Sequence, residues 1–403
     1  MTATKYEKPV SHVDSFTTNV VVQVLRTRTL SMSQSDLLRD FHQTSGLDFW
    51  REAAPGQTAD LMVPAERLES VRAWLDGHHI SHSVMVEDVQ RLLEESRPGN
   101  GSARGTFDWT DYYPHADLNT FIQGMADAND WASIIDIGQS YEGRDMKVLA
   151  ITKAGAGAPN IWLEAGIHAR EWISPAVATY LVNELVQNYA QHPDYLDKIN
   201  WYFLPSANPD GYQYTFDTDR LWRKTRSPQG SCYGVDPNRN WDFHWAESGA
   251  SNNPCSETFA GTKAFSEVEM QNIRDFVTGL EPAPVLSTCF HSYSQLWLWP
   301  YGYAYNAYPD NWRELEQLAI DACDALYQVH GTVFDPINSA DLYPAAGAAD
   351  DWYKGVLGSR FTFTTELRDT GFYGFVLPKE QIIPSGEEMW AAFEVVINKI
   401  LSL

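Results

Sequence analysis

His168 and Glu171 stand three positions apart in Gly166-Ile167-His168-Ala169-Arg170-Glu171, directly after the apolar run Asn160 to Ala165. An imidazole nitrogen and a carboxylate oxygen set around such a tight turn can converge on one zinc, each at about 2.0 to 2.2 Å. Taken alone, the pair is explained better as a solvated loop. His291 changes that reading, because it closes a second apolar, strand-like run, Val285 to Phe290. Two histidines and one carboxylate leave a fourth position open, as catalytic rather than structural zinc sites do. Cys289 lies two residues earlier on the same strand face; it is either a rival ligand or, more simply, an inert core thiol.

The surrounding pattern places both histidines at strand ends, where open α/β sheets hold ligands. Runs 147–151, 160–165, 201–204, 285–290 and 360–365 read as buried strands. Helices are expected near 266–280, 311–329 and 387–401. Ser174-Pro175 is expected to cap a helix carrying Val177, Leu181 and Leu185. This is α/β layering with a mixed sheet between helices.

The N-terminal ninety-odd residues read differently. Strands are expected at 19–27, 60–64 and 81–85, with helices at 36–42 (capped by Ser33 and Ser35), 64–75 and 86–95. This is an α+β unit over residues 1–93, followed by a linker, 94–104, rich in glycine, serine and arginine. Arg97 precedes a proline that blocks trypsin-like cleavage, whereas Arg104 precedes Gly105, so cleavage is expected after Arg104. A second domain then spans 105–403.

At 403 residues and 44% hydrophobic, two cores are expected. No run of about 18 apolar residues occurs, which argues against a membrane-spanning helix. The net charge of −24 is concentrated in 105–403, with 18 basic against 39 acidic residues, compared with 11 against 14 in 1–104. Such a surface disfavours nucleic acid and anionic lipid. The first thirty residues lack a signal-peptide pattern, and Asn100-Gly101-Ser102 is a glycosylation acceptor in an exported chain. Four cysteines allow one or two bridges.

His168-Ala-Arg-Glu171, Asn208-Pro-Asp-Gly211, Arg220-Leu-Trp-Arg-Lys-Thr-Arg226, Val235-Asp-Pro-Asn-Arg-Asn-Trp-Asp242, Pro254-Cys-Ser-Glu257, His291-Ser-Tyr-Ser-Gln295 and Glu366-Leu-Arg-Asp-Thr-Gly371 run in order through the second domain. Together they resemble the pancreatic-type zinc metallocarboxypeptidases, the procarboxypeptidase A/B family, and within it most nearly the B branch. Leu47-Asp-Phe-Trp50 and Met85-Val-Glu-Asp-Val-Gln90 resemble that family's propeptide. The resemblance implies a central mixed eight-stranded sheet between helices, preceded by an inhibitory open-sandwich (ferredoxin-like) α+β prodomain that caps the active site.

It also implies roles. His168, Glu171 and His291 match the ligands of one Zn2+ per chain, and Glu366 the catalytic glutamate, suited to serve as base toward the attacking water and acid toward the leaving amine. Arg223 matches the group that stabilises the oxyanion, as a permanent guanidinium charge can. Asn238 and Arg239 match the pair that grips a substrate's terminal carboxylate, and Tyr343 the tyrosine that closes over the bound residue. Asp350 falls at the foot of the side-chain pocket and implies release of C-terminal Lys or Arg; helix capping by Asp350 and Asp351 is the rival explanation. Gly302 stands where the basic-preferring branch tends to have serine, and Asn338 where a small or apolar residue is usual. The same mechanism with an aromatic or aliphatic preference is the alternative, and a non-catalytic peptide binder a remote one. Cys232 and Cys255 match the family's disulfide; Cys289 and Cys323 are either bridged or two buried thiols. The expected partners are peptide and protein C-termini and an activating trypsin-like protease. The expected protein is monomeric and secreted.

Overall fold

A computed structural model describes residues 21–97 and 107–403. The predicted cleavage point and the Asn100 acceptor lie outside the described residues. In the N-terminal unit, β1 (Gln23–Thr27), β2 (Asp48–Arg51), β3 (Asp60–Val63) and β4 (His82–Val86) form one antiparallel sheet in the order β2-β3-β1-β4. Alternation along a strand sends neighbours to opposite faces. Leu25 and Phe49 accordingly join Leu38, Val71 and Leu75 of helices Met32–Ser45 and Ala65–Gly77, while Val24 and Trp50 pack against Tyr293 and Phe375 of the second domain. The same two strands thus build the unit's own core and its docking face.

Three local readings are corrected. The first helix begins at Met32, because Ser31 and Gln34 close a reciprocal capping box; neither Ser33 nor Ser35 is the cap. Val86 belongs to β4, and Asp88 caps the following helix, Val89–Glu95, which takes the first two residues of the expected linker. The short β2 carried too little periodicity to be recognised as a strand.

In the second domain, β5 (Ala132–Gln139), β6 (Asp145–Ile151), β7 (Asn160–Ala165), β8 (Asn200–Leu204), β11 (Leu286–Ser292), β12 (Leu296–Trp299), β13 (Asp335–Asn338) and β14 (Phe361–Leu367) form one mixed sheet, ordered β13-β12-β14-β11-β7-β8-β6-β5. The ribbon β9 (Pro228–Gln229) and β10 (Cys232–Tyr233) lies apart. The central strands β14, β11, β7 and β8 are parallel. Helices Ile173–Gln187, Trp312–His330 and Ile382–Leu401 bury one face around Leu181, Leu318 and Phe393. Helices Val268–Thr278 and Ala349–Gly355 bury the other around Met270, Trp162 and Trp352. Helix His115–Asp127 and strands β5, β12 and β13 had no strong sequence signal.

Ser174 does not cap its helix, which starts at Ile173. Its Oγ donates to Phe290 O and accepts from Gly166 N, tying β11 to the turn after β7. Cys232 and Cys255 are bridged, while Cys289 and Cys323 are separate buried thiols. Pleating explains the latter: Phe290 faces the core that contains Cys323, so its neighbour Cys289 faces away, against Thr364 Oγ1 at 3.1 Å.

Candidate active site

Three parallel strands end together. The turn after β7 carries His168 and Glu171, β11 carries His291, and β14 places Glu366 in register with His291. Gly166 makes that turn possible, with φ of 66° and Pro175 so close that a Cβ would sit 3.1 Å from its ring. His168 Nδ1 lies 2.8 Å from Glu171 Oε1 and 3.1 Å from His291 Nδ1, which is itself 3.1 Å from Glu171 Oε2. His168 donates Nε2–H to Asp236 Oδ1 at 3.1 Å, which fixes its tautomer and turns the Nδ1 lone pair inward. Two imidazole nitrogens and a carboxylate facing one another, all buried, form a donor set that a divalent cation resolves; the residues fit zinc. Attraction to the two imidazoles, against the cost of burial, holds Glu171 far below the usual carboxylate range.

Arg223 and Glu366 line the same pocket, with Tyr343. Arg223 gives Asp236 Oδ2 a bond of 2.9 Å, so Asp236 fixes both His168 and this guanidinium. Burial pushes the Glu366 carboxyl up to about 8; the negative charge of Glu171 adds, while His291, Arg223 and Arg51 act against it. Arg239 bonds Gly249 O and Asn238 O, but its buried Nη2 has no partner among the described residues and remains available to a carboxylate. Its guanidinium carbon is 5.8 Å from the Tyr343 ring centre. Asn238 Oδ1 accepts from Ala349 N, joining this turn to the helix that carries Asp350.

Asp350 and Asp351 are both buried but differently engaged. Asp351 accepts Gly302 N and Tyr303 N on its two oxygens, at 2.7 and 2.8 Å, a structural use of charge. Asp350 takes Ser339 Oγ at 3.0 Å. Burial raises its carboxyl above the usual value, with the Ser339 bond and nearby backbone N–H groups opposing. Asn338 is turned into its own wall, bonded to Trp299 O and Ala340 N.

The N-terminal sheet covers this pocket. Trp50 and Arg51 line it from above. Gly374 has no Cβ where one would meet the Trp50 ring at 2.6 Å. Asp48 pairs with the buried Arg170 at 2.7 Å, and Gln57 donates to Asp341 O. These partners and Asp236 were assigned no role from sequence. Asp236 could have been given one, since it immediately precedes Pro237-Asn238-Arg239.

A metal-ready cluster beneath a separately folded cover is the layout of a metallopeptidase zymogen. The family profile described as zinc carboxypeptidase matches residues 118–392, and that described as carboxypeptidase activation peptide matches 25–96; the chain belongs to the zinc carboxypeptidase family. It is 51% identical over 296 residues to carboxypeptidase B of Astacus astacus, covering 72% of this chain and 97% of that one. Against carboxypeptidase A1 of Rattus norvegicus it is 40% identical over 392 residues, 93% of each chain. The crystal structure of thrombin activatable fibrinolysis inhibitor superposes with a TM-score of 0.85 at 31% identity, over 95% of this chain and 100% of that one. The protein is thus a zinc metallocarboxypeptidase zymogen whose relatives carry both A and B names. No helix of the described residues is long and apolar enough to cross a membrane.

Proposed function

We propose that the activated protein hydrolyses the last peptide bond of peptides and proteins ending in Lys or Arg. The observation that carries this reading is Asp350, a buried carboxylate that forms no ion pair among the described residues, on the helix joined to the turn that holds Arg239. A buried charge of that kind is costly until a cation meets it, so a basic side chain gains what an apolar one forfeits.

In this scheme His168, Glu171 and His291 hold one zinc per chain, with Asp236 orienting His168. When bound, the ion supplies Lewis acidity, lowering the pKa of a water molecule and polarising the scissile carbonyl. Arg239 and Asn238 grip the terminal carboxylate, Tyr343 closes over the residue, and Arg223 stabilises the oxyanion. Glu366 takes the proton from the attacking water and passes it to the departing amine.

Activation consists of trypsin-like cleavage after Arg104 and departure of the N-terminal sheet, with Trp50 and Arg51, from the pocket mouth. The enzyme acts as a secreted monomer. An activated form beginning elsewhere than Gly105 would refute the cleavage point. The deciding experiment is kcat/KM of the trypsin-treated protein on matched peptides ending in Arg, Lys, Phe and Leu, with and without a zinc chelator. Chelator-sensitive preference for Arg and Lys is expected. Preference for Phe or Leu would overturn the specificity, and absence of hydrolysis would favour a peptide binder.

A further inference from the structure

Ser339 opens the short helix Ser339–Leu342, immediately after the last residue of β13, and is buried beside Asp350. Its hydroxyl has one proton and two acceptors within reach, Asp350 Oδ2 at 3.0 Å and Trp299 O at 3.1 Å. Trp299 O does not depend on it, because Asn338 Nδ2 already donates there at 3.0 Å. The serine proton is therefore free to turn to the carboxylate whenever that group is charged. The position is also closely confined: a Cβ on Gly302 would come within 3.1 Å of Ser339 Cβ, so glycine at 302 leaves the serine its place on the wall. Asp351 cannot share the task, since both of its oxygens are taken by backbone N–H groups.

We propose that Ser339 is a specificity-determining residue of this pocket, donating its hydroxyl to Asp350 and turning its lone pairs toward the cationic end of the substrate side chain. The inference rests on the reading that Asp350 receives Lys or Arg. An ammonium or guanidinium has donors and no acceptor, so at this foot it meets a carboxylate and a hydroxyl oxygen together. The carboxylate is already oriented when the substrate arrives, which spares the binding step the cost of ordering it. An apolar side chain would leave the carboxylate without a cation and the hydroxyl lone pairs without a donor, the more discriminating form of selection.

The test is kcat/KM of the activated enzyme on matched peptides ending in Arg, Lys and Phe, for wild type, Ser339→Ala, Ser339→Thr, Asp350→Ala and the double variant Ser339→Ala/Asp350→Ala. The wild-type ratios alone decide the underlying reading. If Arg and Lys are preferred, Ser339→Ala should lower the Arg:Phe and Lys:Phe ratios about tenfold, as expected for one bond to a charged group, chiefly through KM. Ser339→Thr should keep the ratios, and the double variant should match Asp350→Ala, showing that the serine acts through that carboxylate. A wild type that prefers Arg and Lys while Ser339→Ala changes no ratio, lowers all substrates equally, or adds fully to Asp350→Ala would overturn the inference and leave the Asp350 reading standing. A wild type that prefers Phe would overturn both.

Discussion

Tyr293 of the second domain donates its hydroxyl to Asp60 of the N-terminal unit at 2.6 Å. Tyr293 lies two residues beyond His291 and lines the active-site pocket, while Asp60 is fully buried and takes Arg26 on both its oxygens. Arg26 reaches on to Thr370 O. A single carboxylate therefore fastens the cover to the wall of the pocket it closes. Burial, and then the charge of Asp60, hold the Tyr293 hydroxyl well above its ordinary value, so the bond persists over the working pH range.

Asp60→Ala should loosen the cover. Loss of bonds to a charged group costs about 1.5–3 kcal/mol, so release of the cleaved segment should quicken at least tenfold. The appearance of activity after a trypsin pulse checks this, and Tyr293→Phe, which leaves Asp60 paired with Arg26, should give a smaller effect.

The pair His42 and Glu52, 3.1 Å apart, gives the N-terminal unit a pH dependence. Against burial, Glu52 raises His42 above 6.5, and His42, with Arg239 and Arg223 adding, lowers Glu52 below 4.5. The histidine contribution is complete below its unfolded value and lost as pH rises through the folded one. The glutamate contribution is complete above its unfolded value and lost as pH falls through the folded one. Both are present in full between 4.5 and 6.5. Thermal unfolding of the zymogen should show a firmer N-terminal unit at about pH 5.5 than at about pH 8.5, a difference that His42→Gln should diminish.

Asp236→Asn should weaken metal binding about 10- to 100-fold, because the amide orients His168 less firmly and adds no negative charge. Competition with a chromophoric chelator reads the affinity directly. The same variant should lower kcat at saturating zinc, since Arg223 loses the carboxylate it bonds at 2.9 and 3.2 Å.

Replacing Cys232 and Cys255 with serine opens a loop of 23-residue separation. Chain entropy assigns such a bridge about 3 kcal/mol, so the second domain should unfold at lower temperature or denaturant concentration, with little change in the metal centre. Equal stability of the two forms would show that the bridge constrains nothing in the unfolded chain.

Much of the site was legible because each local motif carries its own backbone requirement. His-Ala-Arg-Glu follows a buried strand at a glycine turn, and Glu366 closes a strand of β-branched and aromatic residues, so types and order placed these groups at strand ends, while their roles as ligands and acid–base came from the family resemblance. The same local logic recognised the α/β layering and the change of pattern near residue 94. It failed at helix His115–Asp127, at the edge strand β5, and at β2, β12 and β13, four residues each, where pairing with a neighbouring strand rather than periodicity makes the strand.

The chain sequence by itself determined the donor chemistry of the pocket, the strand ends that present it, and the division into two units. Only the tertiary structure decided which groups meet across long separations. Asp236 joins His168 to Arg223, Ser339 meets Asp350 while Asp351 is spent on backbone, and Asp60 meets Tyr293 over 233 positions. Such contacts depend on sheet order and domain docking, which are set by how whole faces pack. No property of the residues on either side of a contact encodes its partner.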